Sequence, residues 1–496
     1  MKITIVGGGL AGMVAALRLA ERGCQVDLYE AGARLGGKAG AERHGGGYDE
    51  HGYHIFPMWY RNIWQLVEEL GIEDNFVDVE KFMQVRAGEF PRYRTLTNLG
   101  SIRYIFKNLL SGVMPFTDMV LFFFSTIDLM SQSFSYRAFL DQTSVNGFIR
   151  GRFYRTERVA LQHQDLLLKG ISVPSYDVSA MTMRNVLRFW LRYPEPMQRI
   201  LKGNLQKLWI EPLQSKLESL GVRIYFGYRL EIMEWESNRV TRIALRKADG
   251  TVKKLNVERL VLAIPWEKLA SVLDEAAYRA APTLFNIRYL ESAPMAALNL
   301  YFNRRLEGIP PDHVNLPGSR FGLSFIDIGQ WWPEHAGQTV INAIASDFTP
   351  LAALPHDAAI NAMINDLCQF IPVIKREEIV RVDFQPHTEE PLFMNTVGAW
   401  RYRPSAKTEI DNLYLAGDYC RSHIDLVSME GAVSTGLLAA EAVRSDLMLA
   451  PSIEVLQPEV YPRWLLWIIW LLLLPVAAFF KIITLITRED EQSIKT

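Results

Sequence analysis

Apolar residues crowd most densely near the end of the chain. Trp464 to Phe480 carries no charged side chain and, past Lys481, the run IITLIT extends the stretch to Thr487. A helix crossing a bilayer needs about 20 such residues, so 464–487 is expected to form a transmembrane anchor with Pro475 as a point of kinking. A re-entrant or interfacial segment is the alternative. Arg463 on one side and Lys481 and Arg488 on the other balance too evenly to orient it. A second oily stretch, Val113–Leu129, is broken by Pro115, Asp118 and Asp128 and is not expected to cross. Its spacing predicts a helix with Met119, Phe122, Phe123 and Ile127 on one face, either packed internally or lying in a membrane interface.

The rest of the chain alternates between the two periods of regular structure. Strands are predicted at 2–6, 25–29, 222–226, 230–234, 240–246, 260–264 and 412–416, and helices at about 10–22 and at 213–220. This pattern predicts an α/β framework interrupted by an insertion. Residues 1–80, 200–270 and 395–447 are assigned to one discontinuous domain. Residues 81–199 and 271–394, richer in aromatics, are assigned to an inserted α+β substrate domain.

Composition narrows the classes. With 496 residues, 49% hydrophobic, 22% charged and a formal net charge of −2, the chain is neither disordered nor built to bind nucleic acid. Its three cysteines, Cys24, Cys368 and Cys420, are too scattered for a metal site and too few for a disulfide framework, which points to a reducing compartment. The first residues enter a strand directly, without the charged and apolar regions of a signal peptide. The folded part is therefore expected on the cytoplasmic side of the membrane.

The strongest chemical signal follows the first strand. Gly7, Gly9 and Gly12 stand in GxGxxG spacing at a strand–turn–helix junction, and Glu30 closes the second strand. In such a unit the first glycine makes the tight turn, the second admits a pyrophosphate to the backbone and the third lets helix and strand pack, while the acid accepts from ribose hydroxyls. An acid at Glu30 disfavours NADP and leaves NAD and FAD open. The loop Ala31–Lys38, with three glycines and the cations Arg34 and Lys38, favours FAD, because an NAD fold does not need it.

With EAGARLGGK at 30–38, EHGYHIFPMWY at 50–60, VLAIP at 261–265 and NLYLAGDYCRSHIDLVSMEGAVSTGLLAAEAV at 412–443, the chain resembles the flavin-containing amine oxidase superfamily. Within it, the resemblance is to phytoene and zeta-carotene desaturases of the plant and cyanobacterial type. The resemblance implies an FAD-binding Rossmann-like fold of the glutathione-reductase type with non-covalent FAD. It places Ala11, Glu30, Ala31, Arg34, Gly37, Lys38, His54, Ile55 and Tyr60 on the cofactor, beside Gly7, Gly9 and Gly12. It aims Gly417 and Asp418 at the ribityl chain. Met429, followed by Glu430, Gly431 and Ala432, opens a helix toward the pyrimidine edge, and Val427 lies at the substrate. The covalent cysteine of monoamine oxidases has no counterpart between Asn395 and Asp411, so Cys420 is expected to be a small buried residue.

The resemblance further implies desaturation of a long isoprenoid hydrocarbon. A hydride leaves an allylic carbon for the flavin and a proton leaves its neighbour, inside an apolar tunnel to which Phe122, Phe123, Phe124, Trp331 and Trp332 are candidates. Lys207 follows Gly203–Asn204 where the plant-type enzymes carry arginine, and is the candidate catalytic cation, although the two are not equivalent in geometry. Membrane lipid and a quinone or oxygen as electron acceptor complete the expected partners; no metal is expected. Three other readings stay open: a squalene-type dehydroxylase or other terpenoid oxidoreductase, an amine oxidase releasing hydrogen peroxide, and a non-catalytic prenyl-lipid carrier.

Overall fold

The first strand, Lys2–Val6, is buried beyond its first residue because it lies at the centre of a five-stranded parallel sheet, where both faces are covered. The order across that sheet is Arg223–Tyr225, Gln25–Tyr29, Lys2–Val6, Arg259–Leu262, Leu413–Leu415, every neighbouring pair parallel. The computed structural model describes residues 1–44, 47–50, 52–79, 81–97, 102–132, 137–171, 173–193, 196–386 and 391–487. His51, within the 50–60 motif, and Arg488 lie outside them.

The helix Leu10–Ala20 leaves the first strand and ends two residues earlier than its pattern predicts, at a turn closed by Gly23 with φ +76°. It packs against the helix Met429–Asp446 at unusually short range. A Cβ on Gly436 would stand 2.4 Å from the Ala11 carbonyl oxygen. An antiparallel meander, Arg229–Glu236, Arg239–Arg246 and Val252–Asn256, connects the outermost strand of the parallel sheet back to its fourth. The third of these strands was not legible in the sequence pattern.

The inserted residues build a seven-stranded sheet in the order Ile379–Pro386, Ala296–Phe302, Val340–Ala345, Leu323–Asp327, His313–Asn315, Phe82–Gln84, Arg94–Leu96. One face, through Val314, Phe325 and Ala343, packs on the helix His356–Phe370 in a wholly apolar core. The opposite face fronts the large cavity described below. The helices Phe116–Ser131 and Ala180–Trp190 close the cavity at its far end.

The stretch 113–129 folds as the helix Phe116–Ser131 and takes the first of the two placements its spacing leaves open, with Met119, Phe122 and Phe123 buried against the protein. Phe122 and Phe123 face the cavity, whereas Phe124 turns to the other side and stacks on Trp470, ring centroids 6.1 Å apart. Trp331 and Trp332 are not in the tunnel. Trp332 packs with Ile326, Ile328 and Val340 on the cavity-side face of the sheet but outside the cavity lining, and the Trp331 indole donates to the Pro311 carbonyl, because the short turn after Asp327 carries both past the cavity.

The last helix, Arg463–Thr487, is long and apolar enough to cross a membrane. It lies along Phe116–Ser131, with Trp470, Leu473, Leu474, Ala477 and Phe480 packed in one cluster with Met119, Phe122 and Phe124. Trp470 Nε1 donates to Asp128 Oδ1 (2.9 Å), and Lys481 Nζ donates to the Arg155 carbonyl (2.7 Å). Its other face exposes Trp464, Trp467, Leu471, Leu472 and Phe479.

Candidate active site

One cavity of about 980 Å³ runs from the glycine turn to the aromatic helices. At its first end each glycine of the turn has a different reason to be glycine. Gly7 has φ +110°, and a Cβ there would stand 2.3 Å from the Ala263 carbonyl. A Cβ on Gly12 would stand 1.9 Å from the Gly7 carbonyl, so Gly12 serves packing and does not line the cavity. A Cβ on Gly9 would meet nothing within 4 Å: it would point into open space on the cavity wall. The helix that starts there has no side-chain cap, so its first N–H groups are left without a side-chain acceptor at this end of the cavity, as an anion site requires.

Glu30 is held rigidly. Its Oε2 accepts from Gly8 N and its Oε1 from Gly32 N, each at 2.6 Å, and the carboxylate retains lone pairs for ribose hydroxyls. The loop beyond it folds back over the turn, Gly36 N donating to the Gly8 carbonyl at 2.9 Å. Ala31, Gly37 and Lys38 thereby reach the wall, and Lys38 Nζ donates to the Pro391 carbonyl at 2.6 Å. Arg34 does not line the cavity; its guanidinium crosses above Gly40, where a Cβ would meet it at 2.2 Å.

The second half of the site comes from the loop after the last parallel strand. Gly417, with φ +148°, turns Asp418 to the wall. Ser428 caps the following helix, its Oγ accepting from Gly431 N at 3.0 Å, and leaves Met429 at the cavity beside Val427. Glu430 does not face the cavity. Fully buried, it accepts from Asn62 N (2.9 Å), Asn62 Nδ2 (2.7 Å) and Ile63 N (3.0 Å), capping the helix Arg61–Leu70 from across the interface. Burial pushes its carboxyl up to about 8 against those three donors. Cys420 is fully buried and off the cavity wall, and burial pushes its thiol up to about 12. His54, Ile55 and Tyr60 line the middle of the cavity, with His54 Nδ1 held by the Gly52 carbonyl at 2.9 Å.

Lys207 does not line the cavity. Asn204 Oδ1 accepts the Lys207 backbone N–H at 2.9 Å and so initiates the turn Gln206–Ile210. That turn winds Trp209 and Ile210 into the core and leaves the Lys207 side chain exposed, away from the cavity. It is not the cation of this site. Two residues that sequence reasoning missed stand out instead. Arg403, 2% exposed, donates to the carbonyls of Asp418, Tyr419 and Cys420 and to Asp425, clamping the 417–428 loop from beneath. Tyr53, inside a stretch singled out for its neighbours, joins His313 and Ser324 on the cavity wall.

A parallel sheet with a glycine turn, a rigid acid and a second loop thus meet at one cavity that extends to the aromatic helices. The family model for flavin-containing amine oxidoreductases matches residues 10–444, and the chain belongs to that family: it is a flavin-containing oxidoreductase. It is 26% identical over 462 residues to the 15-cis-phytoene desaturase of Synechococcus elongatus, covering 89% of this chain and 96% of that one. It is 25% identical over 499 residues to the zeta-carotene desaturase of Synechocystis sp., covering 90% and 98%. In fold it is similar to the cyclohexylamine oxidase of Brevibacterium oxydans, with a TM-score of 0.66 at 15% identity, covering 90% of this chain and 99% of that one. The family resemblance read from the motifs is thus borne out.

Proposed function

We propose that the chain binds FAD without a covalent bond and desaturates a long isoprenoid chain. The observation that carries this reading is the continuity of one cavity from Gly9 and Glu30, through Asp418 and Met429, to an apolar arm walled by Phe122, Phe123, Leu187 and Trp190. The order of the parallel sheet supports a dinucleotide fold of the glutathione-reductase type. The open space at Gly9, which a side chain would fill, suits a pyrophosphate, and none of Cys24, Cys368 and Cys420 lines the cavity. Residues 1–80, 200–270 and 395–447 hold the cofactor; 81–199 and 271–394 hold the substrate.

Bound FAD supplies the two-electron acceptor. The chain's own residues supply orientation and a dry site: the aromatic arm holds a flexible hydrocarbon tail extended and excludes water, which a reaction passing through a delocalised cation requires. The names of the desaturase relatives favour an isoprenoid over an amine. The terminal helix anchors the protein at the membrane that dissolves such a substrate, with the catalytic part on the cytoplasmic side, and a membrane quinone or oxygen takes the electrons.

The test is anaerobic. FAD-loaded protein should lose its yellow absorbance on addition of an isoprenoid in detergent micelles and keep it with simple amines. Acid precipitation should release all the flavin to the supernatant. Bleaching by amines alone would overturn the reading in favour of an amine oxidase.

A further inference from the structure

Three arginines stand together where the last helix begins, and no acid among the described residues pairs with them. The helix Phe116–Ser131 ends against two of them: Arg463 Nε donates to the Ser131 carbonyl (3.2 Å) and Arg184 Nε to the next one, of Gln132 (2.9 Å). Arg188 stands one turn beyond Arg184 on the helix Ala180–Trp190, so the two share a face. That face is not the cavity's, which takes Met183, Leu187 and Trp190 from the same helix and neither arginine. Arg184 is 3% exposed. Burial and the two neighbouring cations pull its guanidinium down to about 9, and burial and Arg463 lower that of Arg188. Arg403 and Arg18, also withdrawn from water, have acids to balance them. Here two nearby acids are spent elsewhere. Asp425 is reached only through the Asn185 amide, which accepts from Arg184 Nη1 (3.2 Å) and donates to Asp425 (3.4 Å), and that carboxylate already pairs with Arg403. Glu459, four residues before Arg463, pairs with Arg61 and Arg192.

We propose that this cluster holds the phosphate of an anionic membrane lipid. The proposal rests on the reading of Arg463–Thr487 as a membrane anchor and adds a headgroup site at the end where that helix begins. Capping of the helix Phe116–Ser131 does not account for the cluster. Its two carbonyls take one nitrogen each, and a helix C-terminus carries about half an elementary negative charge against three positive ones. Of Arg188 only Nε is sealed in; its terminal nitrogens stay accessible and donate to no described residue. The Arg463 side chain is exposed. These two therefore supply the contacts, and Arg184, almost wholly covered, supplies charge. Guanidinium forks match phosphate oxygens, which accept from several donors at once. Location selects the source of the phosphate. Arg463 is the first residue of the apolar helix, and the exposed indoles of Trp464 and Trp467 beside it are the side chains that settle at headgroup level. Basic clusters at that depth attract anionic lipids. The substrate is not the source, because none of the three arginines lines the cavity.

The test titrates dioleoyl-phosphatidylglycerol into full-length FAD-loaded protein in dodecyl maltoside micelles and reads the melting temperature, which a ligand of the folded state raises. The rise should saturate. Dioleoyl-phosphatidylcholine at the same mole fraction, whose choline cancels the phosphate charge, should give none. Arg188→Gln and, independently, Arg463→Gln should raise the mole fraction needed for half the shift at least about fivefold. Arg279→Gln, which removes an exposed arginine outside the cluster, should leave it unchanged. Equal shifts with the two lipids in the unmodified protein, or no shift with either, overturn the proposal without any variant having to fold. So do cluster variants that respond like the parent. Inorganic phosphate that matches the phosphatidylglycerol shift also overturns it and gives the cluster to a soluble anion. Flotation with pure phosphatidylcholine vesicles tests the anchor separately, and parent and variants should float alike. A parent that does not float refutes the anchor and, with it, the place of the site at a membrane. A parent that floats but shows no preference for phosphatidylglycerol refutes the headgroup site alone.

Discussion

Arg403 and Asp425 form an ion pair at 2.6 Å with both side chains almost wholly out of solvent. The aspartate sits at φ +47°, a conformation few residues other than glycine adopt, and the guanidinium gives three further donors to three consecutive carbonyls of the 417–428 loop. The pair is thus a brace for the segment that presents Asp418 and Met429.

Removing one partner leaves a buried charge without compensation, at a cost of about 3–5 kcal/mol. Arg403→Leu is expected to lower the melting temperature and to purify with little flavin, although Arg403 does not line the cavity. Thermal melts with and without added FAD check this. A variant that melts like the parent and holds full flavin would show the brace to be dispensable.

Gly9 and Gly12 separate cofactor binding from folding. Gly9 has φ −71° and free space where a Cβ would go, so Gly9→Ala should fold normally and weaken FAD binding by about tenfold, or ~1.4 kcal/mol. Gly12→Ala drives a Cβ against backbone and should destabilise the apoprotein itself by about 1–3 kcal/mol or more. Equilibrium unfolding of the two apoproteins, followed by flavin titration, distinguishes them. Equal stabilities would remove the packing role of Gly12.

Glu430 predicts a pH dependence of stability. Burial raises its carboxyl from 4.5 to about 8 in the folded state, so between those values the folded protein binds a proton that the unfolded chain has released. The stability this confers is complete below about 4.5 and is lost as pH rises through about 8. The melting temperature should therefore fall from pH 5 toward pH 8, and Glu430→Gln should flatten that slope. Melts across this range at constant ionic strength decide it. A slope unchanged in the variant assigns the effect to other groups.

What the sequence discloses here is what is local. The glycine turn, Glu30 and the strands of the parallel sheet are legible because each is a short-range pattern with one geometric solution. The polar row on the cavity wall, Gln84, Asn315 and Ser324, is not. Its strands His313–Asn315 and Leu323–Asp327 carry no motif of their own, and only strand pairing brings Gln84 beside Asn315. Arg403 reads as one arginine among many until the loop closes over it. Lys207 misleads for the opposite reason: the Gly203–Asn204 pair is present, but Asn204 spends its side chain on starting a turn that points the lysine outward.

The terminal helix is the clearest case of hydropathy reporting half of a structure, and it yields the last prediction. Its composition announces a membrane segment, but one face is committed to the protein. Trp470 stacks on Phe124 and donates to Asp128, and Lys481 holds the Arg155 carbonyl. Deleting 463–496 should therefore do two things, releasing the protein from vesicles and exposing Phe124, now 1% exposed, at a cost of about 1.5–3 kcal/mol for that side chain alone. Polar substitutions on the opposite face, Leu472→Ser and Phe479→Ser, should weaken vesicle flotation and leave the melting temperature in detergent unchanged. Ala477→Asp, placed at the contact with Phe116–Ser131, should lower that melting temperature. If the deletion melts like the full chain, the helix is a tether with no structural share in the substrate compartment, and Lys481 and Trp470 lose the roles given them here.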